Sequence, residues 1–358
     1  MKGNLIVFFF CLYFCPLIIH AEIVETDEVY TYESLTEDLL ELSKLHPNLI
    51  TYKSLTTTPY GREIWAVKIG HGKPTVLIHG AHHAREWMTS TLLMKMIETY
   101  ADSYKKDKKV GGYESNILEE VSIWFVPMVN PDGVTLQQMG LFAFPSSIHP
   151  SLVKMNKGSL NFIRWKANLN GIDLNRQYPA NWENLKGVSN KPSYQFYKGT
   201  SPLEAIEVKA LVDFTYEIKP EIAVSYHSSG NMLFWGFYEW GLTHTTNFAI
   251  DYFKIAEKVA DMTRYKLEVP KSFQQGGGYT DWFIEEFEKT AFTVEIGSLI
   301  EDSSLPLDSF PLIWERNKAI GLFLAKRAIE KFTYDRNNIM LTNGNAKSQT
   351  YNLSDTIL

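Results

Sequence analysis

Apolar positions recur along the chain in two alternating rhythms. Leu35, Leu39, Leu40, Leu42 and Leu45 follow helical spacing and stop at His46-Pro47, which predicts an amphipathic first helix. Residues 64–69 and Thr75–His79 read as strands. The second is almost continuously apolar, as suits a sheet position covered on both faces. Helical period returns over residues 88–104, and residues 121–128 form a further buried strand ended by the turn sequence Asn130-Pro-Asp-Gly133. Residues 140–190 are rich in Asn, Gly, Pro and Ser, the texture of a long functional loop region.

The alternation then resumes. Ser201-Pro202-Leu203-Glu204 has the layout of an N-cap, a first-turn proline and a capping carboxylate, so a helix is expected over 201–218. Strands at 222–226 and 291–296 and helices at 248–263 and 312–332 complete the pattern. Strands alternating with helices argue an α/β chain: a three-layer α/β/α sandwich around a mixed, largely parallel central sheet. After Tyr334 the sequence turns polar and Asn-rich, so residues 334–358 are expected as a frayed tail.

Composition fits one large domain over residues 22–333. The chain has 358 residues, of which 45% are hydrophobic and 14% aromatic, enough for a sizeable core. A net charge of −6 and the lack of any long basic run give no reason to expect a nucleic-acid partner. The first 21 residues differ in kind: Lys2, an apolar stretch over 5–19 and a small residue, Ala21, before Glu22. That is the layout of a secretory signal peptide, too short for the ~20 apolar residues of a membrane span. Cys11 and Cys15 both lie inside it, so the mature chain is expected to be a cysteine-free, secreted or envelope-associated monomer, stabilised by packing alone.

Candidate chemistry sits where the apolar runs end. His83 and Glu86 are three residues apart at the turn between the Thr75 strand and the next helix. His227 ends its own strand, the place where open α/β sheets present ligands. Two histidines, a carboxylate and an open position make the donor set of a hydrolytic zinc site. His82 is adjacent, but the His-x-x-Glu spacing selects His83. Asp173 is the candidate acceptor for the other ring N–H of a ligand histidine. Glu295, an ionisable residue at the end of an apolar strand, is the candidate general base.

The strings Gly80-Ala-His-His-Ala-Arg-Glu-Trp87, Asn130-Pro-Asp-Gly133, Asp173-Leu-Asn-Arg176, His227-Ser-Ser-Gly230 and Thr293-Val-Glu295 together resemble the zinc metallocarboxypeptidases of the carboxypeptidase A kind. The stretch from Trp165 to Ala180, with Lys198-Gly-Thr-Ser-Pro202, is similar to bacterial γ-D-glutamyl-L-diamino acid endopeptidases, which cut peptidoglycan stem peptides. The resemblance implies one zinc, a peptide or muropeptide substrate, and hydrolysis by hydroxide available at neutral pH with Glu295 as base. It implies cleavage of the γ-D-glutamyl–diamino acid bond, with removal of C-terminal residues from L-peptides as the alternative. A non-catalytic wall-peptide binder would need a missing ligand or base, and none is missing.

Individual roles follow from the same resemblance. Arg85 would assist at the substrate backbone, and Asn175 with Arg176 would clamp a carboxylate. The family's oxyanion arginine falls on Lys166, with Arg164 two residues away, a departure that leaves both open. The family's mobile tyrosine falls on Phe273, which lacks a hydroxyl, and Tyr279 is the nearby substitute. The base of the side-chain pocket falls on Thr280, beside a Gly276-Gly-Gly278 loop expected to be mobile or roomy.

Overall fold

The computed structural model describes residues 22–236, 247–269 and 276–349. The signal segment expected over 1–21 and Phe273, expected at the mobile-tyrosine position, lie outside the described residues. Eight strands form one sheet: β1 (Ile50–Thr57), β2 (Glu63–Gly70), β3 (Thr75–His79), β6 (Ser122–Val126), β7 (Ile222–Ser228), β8 (Met232–Trp235), β9 (Lys266–Glu268) and β10 (Thr290–Ile296). A separate two-stranded hairpin joins β4 (Lys109–Val110) to β5 (Tyr113–Glu114). The sheet order is β1-β2-β6-β3-β7-β10-β8-β9. The four central strands, β6, β3, β7 and β10, run parallel, with antiparallel neighbours on either side. This is the mixed, largely parallel sheet expected.

Helices cover both faces. All five residues of β3 are buried, as are the first six of β7, so these strands are apolar on both sides, as βαβ connections demand. On one face α2 (Met88–Lys105) meets α9 (Ile320–Gln349), where Tyr100 Oη accepts from Gly321 N at 3.0 Å. On the other, α5 (Ile206–Ile218) and α7 (Tyr279–Phe287) join through Thr215 and Tyr279. The first helix, α1 (Tyr32–Leu45), starts at an N-cap, Thr31, whose hydroxyl accepts from Ser34 N, and buries Leu35, Leu39 and Leu42. Helix α6 (Asn247–Thr263) flanks β8 and β9.

Several elements depart from the sequence reading for identifiable reasons. Strand β1 carries no apolar alternation because it is the sheet's edge and keeps polar residues in solvent. Asn130-Pro-Asp-Gly133 opens a helix, α3 (Pro131–Met139): the Asn130 side chain caps Gly133 N and Pro131 takes the first turn. Helix α5 does not begin at Ser201. Gln177 captures Leu203 N through its carbonyl and Ala205 N through its side chain. Glu204 turns back to accept from Thr200 N at 2.6 Å, so the helix starts only at Ile206. The stretch 140–190 is irregular apart from α4 (His149–Met155) and short 3₁₀ turns. It closes over a satellite core of Leu136, Phe144, Leu152, Phe162, Trp165 and Tyr194. The expected last helix is two, α8 (Phe310–Asn317) and α9, and the backbone of α9 continues past Tyr334 to Gln349, through much of the expected tail.

Candidate active site

Strand β3 leaves the middle of the sheet at His79, and Gly80 and Ala81 turn the chain toward α2. The turn is tight: a Cβ on Gly80 would lie 2.8 Å from Thr89 Oγ1. That same hydroxyl accepts from Ala81 N and donates to Glu86 O, each at 2.8 Å. His83 is extended, and the 3₁₀ turn Ala84–Glu86 that follows folds Glu86 back beside it. His83 Nδ1 is then 2.9 Å from Glu86 Oε1. His227 arrives from the carboxyl end of β7, its Nδ1 2.9 Å from Glu86 Oε2 and 3.1 Å from His83 Nδ1. All three side chains are buried.

The chemistry of this donor set fits a divalent metal. Asp173 Oδ1 lies 3.1 Å from His83 Nε2 and accepts its N–H, which turns the Nδ1 lone pair inward. Ser225 Oγ, 3.0 Å from His227 Nε2, does the same for the second ring. Two lone pairs and a carboxylate thus converge on one point. A tetrahedral zinc with ligand nitrogens at about 2.05 Å would hold them about 3.3 Å apart, close to the separation observed. Zinc is the cofactor, one per chain, and His83, Glu86 and His227 are the residues that group around its place. Burial pushes the Glu86 carboxyl up, but His83 and His227 outweigh it and hold it well below its usual range. The same contest, won by His83, Lys166 and Arg176, keeps Asp173 ionised. His82 lies behind the cluster, fully buried, with Nε2 2.8 Å from Tyr178 Oη. Burial holds it neutral.

Glu295 stands on β10 directly beside His227 on β7 as its register partner. Its side chain keeps part of its surface open, yet loss of water around the carboxyl and the charge on Glu86 push its pKa up to about 8, against the pull of Lys166 and Arg176. Among the described residues it has no hydrogen-bond or ion-pair partner. Its place beside the metal ligands and its lack of a partner leave Glu295 the candidate proton acceptor of the site.

The cations are distributed differently from one another. Arg164 is committed elsewhere: Nε and Nη2 donate to Asn156 Oδ1 and O, and the guanidinium stacks 4.2 Å from the Tyr194 ring centre. Lys166 lies over Phe196 at 5.2 Å, and its charge acts on Asp173, His227 and Glu295 alike. Its backbone carbonyl accepts from Ala84 N, tying it to the metal turn. Arg85 Nη1 donates to Arg164 O at 3.1 Å and to Asp302 Oδ1 at 2.7 Å.

Asn175 and Arg176 follow Asp173 in one 3₁₀ turn. Asn175 Oδ1 accepts from Tyr279 N at 3.1 Å. Arg176 uses only Nη1, on Asn175 O, leaving its other N–H groups without partners among the described residues. Tyr279 corrects an expectation. Its ring is fully buried among Tyr178, Trp282 and Phe283, and its hydroxyl is 3.1 Å from Thr215 Oγ1. It belongs to the core between α7 and α5 and offers no phenol to a ligand. Thr280 Oγ1 is 2.7 Å from Thr293 Oγ1 on β10, two residues before Glu295 and on the same face of the strand. The glycine loop is not roomy: a Cβ on Gly277 would come 2.6 Å from Leu185 and 3.1 Å from Arg176 Cα. These glycines let two backbones touch.

Three contributors escaped the sequence reading. Ser225 had a signal, since it sits two residues before His227 on the same strand face. Asn130 donates from Nδ2 to His82 O and Ala167 O, stitching the metal turn to the Lys166 segment; its motif was noticed and its role was not. Asp302 had none: it reaches Arg85 across 217 residues of chain.

Known proteins bear on this arrangement. The zinc carboxypeptidase family model matches residues 35–319. γ-D-glutamyl-L-diamino acid endopeptidase 1 of Lysinibacillus sphaericus is 30% identical over 311 residues, 85% of this chain and 73% of that one. Metallocarboxypeptidase A of Trichophyton rubrum is 29% identical over 212 residues, 57% of this chain and 46% of that one. Carboxypeptidase A from Helicoverpa armigera superposes with a TM-score of 0.64 at 20% identity, covering 85% of this chain and 74% of that one, a likeness of fold.

Proposed function

The chain belongs to the zinc carboxypeptidase family and is a zinc metallopeptidase, and from that premise we propose that it hydrolyses the γ-D-glutamyl–diamino acid bond of peptidoglycan stem peptides. The observation that carries this reading is the 30% identity, over 85% of this chain, to the Lysinibacillus endopeptidase of that name. The pair at the expected pocket base supports it. The Thr280–Thr293 pair is polar and uncharged, suited to a diamino acid side chain that bears both an amine and a carboxylate.

The geometry supports the following roles. His83, Glu86 and His227 hold the metal, with Asp173 and Ser225 fixing the two rings. Zinc held there would supply Lewis acidity to the scissile carbonyl and would make the attacking water more acidic. Glu295 takes the proton from that water and passes it to the leaving amine, because it alone among the nearby acids has no partner to lose. Lys166 offsets the charge that develops on the carbonyl oxygen, since Arg164 is engaged with Asn156 and Tyr194. Arg176, with its fork free, and the amide of Asn175 hold a carboxylate near the scissile bond.

The leader layout supports export, with residues 22–333 as the peptidase domain and the chain acting as a monomer on wall peptides. Among the described residues no helix is long and apolar enough to cross a membrane. A carboxypeptidase acting on L-peptides is the second reading, favoured by the open Asn175–Arg176 pair. Mass spectrometry of muropeptides digested by the zinc-loaded enzyme, against release of the last residue from blocked dipeptides, separates the two. Products severed at the γ-D-glutamyl bond support the first; digestion of dipeptides alone refutes it.

A further inference from the structure

Arg85 is held in an unusual way. Nη1 alone makes both of its contacts, to the Arg164 carbonyl at 3.1 Å and to Asp302 at 2.7 Å. Nη1 lies at the end of the guanidinium away from Nε, so the side edge formed by Nε and Nη2 stays whole and has no partner among the described residues. That edge is the one matched to a carboxylate by two parallel N–H···O bonds. The arginine side chain is largely covered, whereas the Asp302 side chain is half exposed at 50%. The pair therefore stands where the buried metal turn meets solvent, Arg85 being next in sequence to Glu86.

The substrate's chemistry supplies a match. An ordinary peptide places a neutral carbonyl from the preceding residue a few bonds behind the scissile carbon. A γ-glutamyl residue places its free α-carboxylate there instead, at the far end of two methylenes. We propose that Arg85 receives this α-carboxylate on its Nε/Nη2 edge, and that Asp302 is the positioning residue that keeps the edge presented. The inference rests on the wall-peptide reading and deepens it: the enzyme would prefer γ-D-glutamyl substrates with a free α-carboxylate over those amidated at that carboxyl. Asp302 selects indirectly, by occupying Nη1 so that the substrate cannot be bound end-on in a misdirected pose.

The test compares two soluble γ-D-glutamyl–diamino acid peptides, one with the free α-carboxylate and one with its amide, on the zinc-loaded enzyme. The acid should be preferred about tenfold or more in kcat/KM, the scale of a charge-assisted pair. Arg85→Met should erase the preference. Asp302→Asn should raise KM for the acid severalfold, leave kcat within about twofold and leave the amide unchanged, and Asp302→Glu should restore much of the loss. Equal loss on both peptides would mean that Asp302 merely supports the loop, and no acid-over-amide preference in the unaltered enzyme would overturn the proposal with the wall-peptide reading intact. Cleavage of blocked L-dipeptides with neither γ-linked peptide touched would remove the reading itself, and the proposal with it.

Discussion

Glu295 and His227 are register partners on the parallel strands β10 and β7. Side chains paired this way leave the same face of the sheet, so the strand ends that present a metal ligand also present the proposed base. The relationship makes Glu295 close to the metal without being bonded to anything, and it separates the two functions. Glu295→Gln keeps the shape and should leave one zinc per chain while lowering kcat by about 10²–10⁴-fold. Metal analysis alongside steady-state kinetics checks this. Loss of zinc from the variant would instead make Glu295 part of the metal cluster.

Ser225 gives a graded test of the same cluster. Its hydroxyl sets the ring of His227 from behind, and outer partners of this kind are worth roughly 10–100-fold in metal affinity. Ser225→Ala should weaken zinc binding by about tenfold, measured by competition with a chromogenic chelator, while activity at saturating zinc falls much less. An unchanged affinity would show that the backbone alone orients the ring.

How much of this was legible in the sequence depended on where each residue acts. Buried strands such as β3 and β7 announced themselves because covering both faces keeps most of their positions apolar, and the ligands at their ends could be placed with them. The edge strand β1 could not be read, since solvent imposes no pattern on it. The start of α5 was misplaced because Gln177, distant in sequence, competes for the backbone N–H groups that a capping box would satisfy. Tyr279 was misassigned for a similar reason: its motif neighbours touch the site, but the first turn of α7 rotates its ring into the core toward Thr215. Asp302 could be found only from coordinates.

Arg176 offers a prediction about geometry over charge. A lysine there keeps the positive charge but loses the planar fork. Arg176→Lys should raise KM by about 10–100-fold for substrates with a carboxylate near the scissile bond. The unaltered enzyme should lose a similar factor when that carboxylate is amidated, and the variant acting on the amide should lose little more. Independent, additive losses would place the carboxylate elsewhere.

The last prediction concerns stability away from the metal. Glu207 on α5 is buried, with Asn168 Nδ2 and its own backbone N–H donating to it, and burial pushes its carboxyl up to about 7 against them. Between the unfolded value near 4.5 and the folded value near 7, the native chain holds a proton that the unfolded chain has released. Stability contributed by this group is therefore full below the lower value and falls as pH rises through that window. The loss amounts to about 3 kcal/mol once the carboxyl must ionise in place. Glu207→Gln removes the titration and preserves the acceptor for Asn168. Urea unfolding between pH 4.5 and 8 should show the variant gaining on the unaltered protein as pH rises, with the difference levelling off above about pH 7. Asp38 and Asp281, each raised to about 6, titrate in both proteins and cancel in the comparison. A difference that stays flat across the range would mean that Glu207 ionises in the folded chain no differently from the unfolded one.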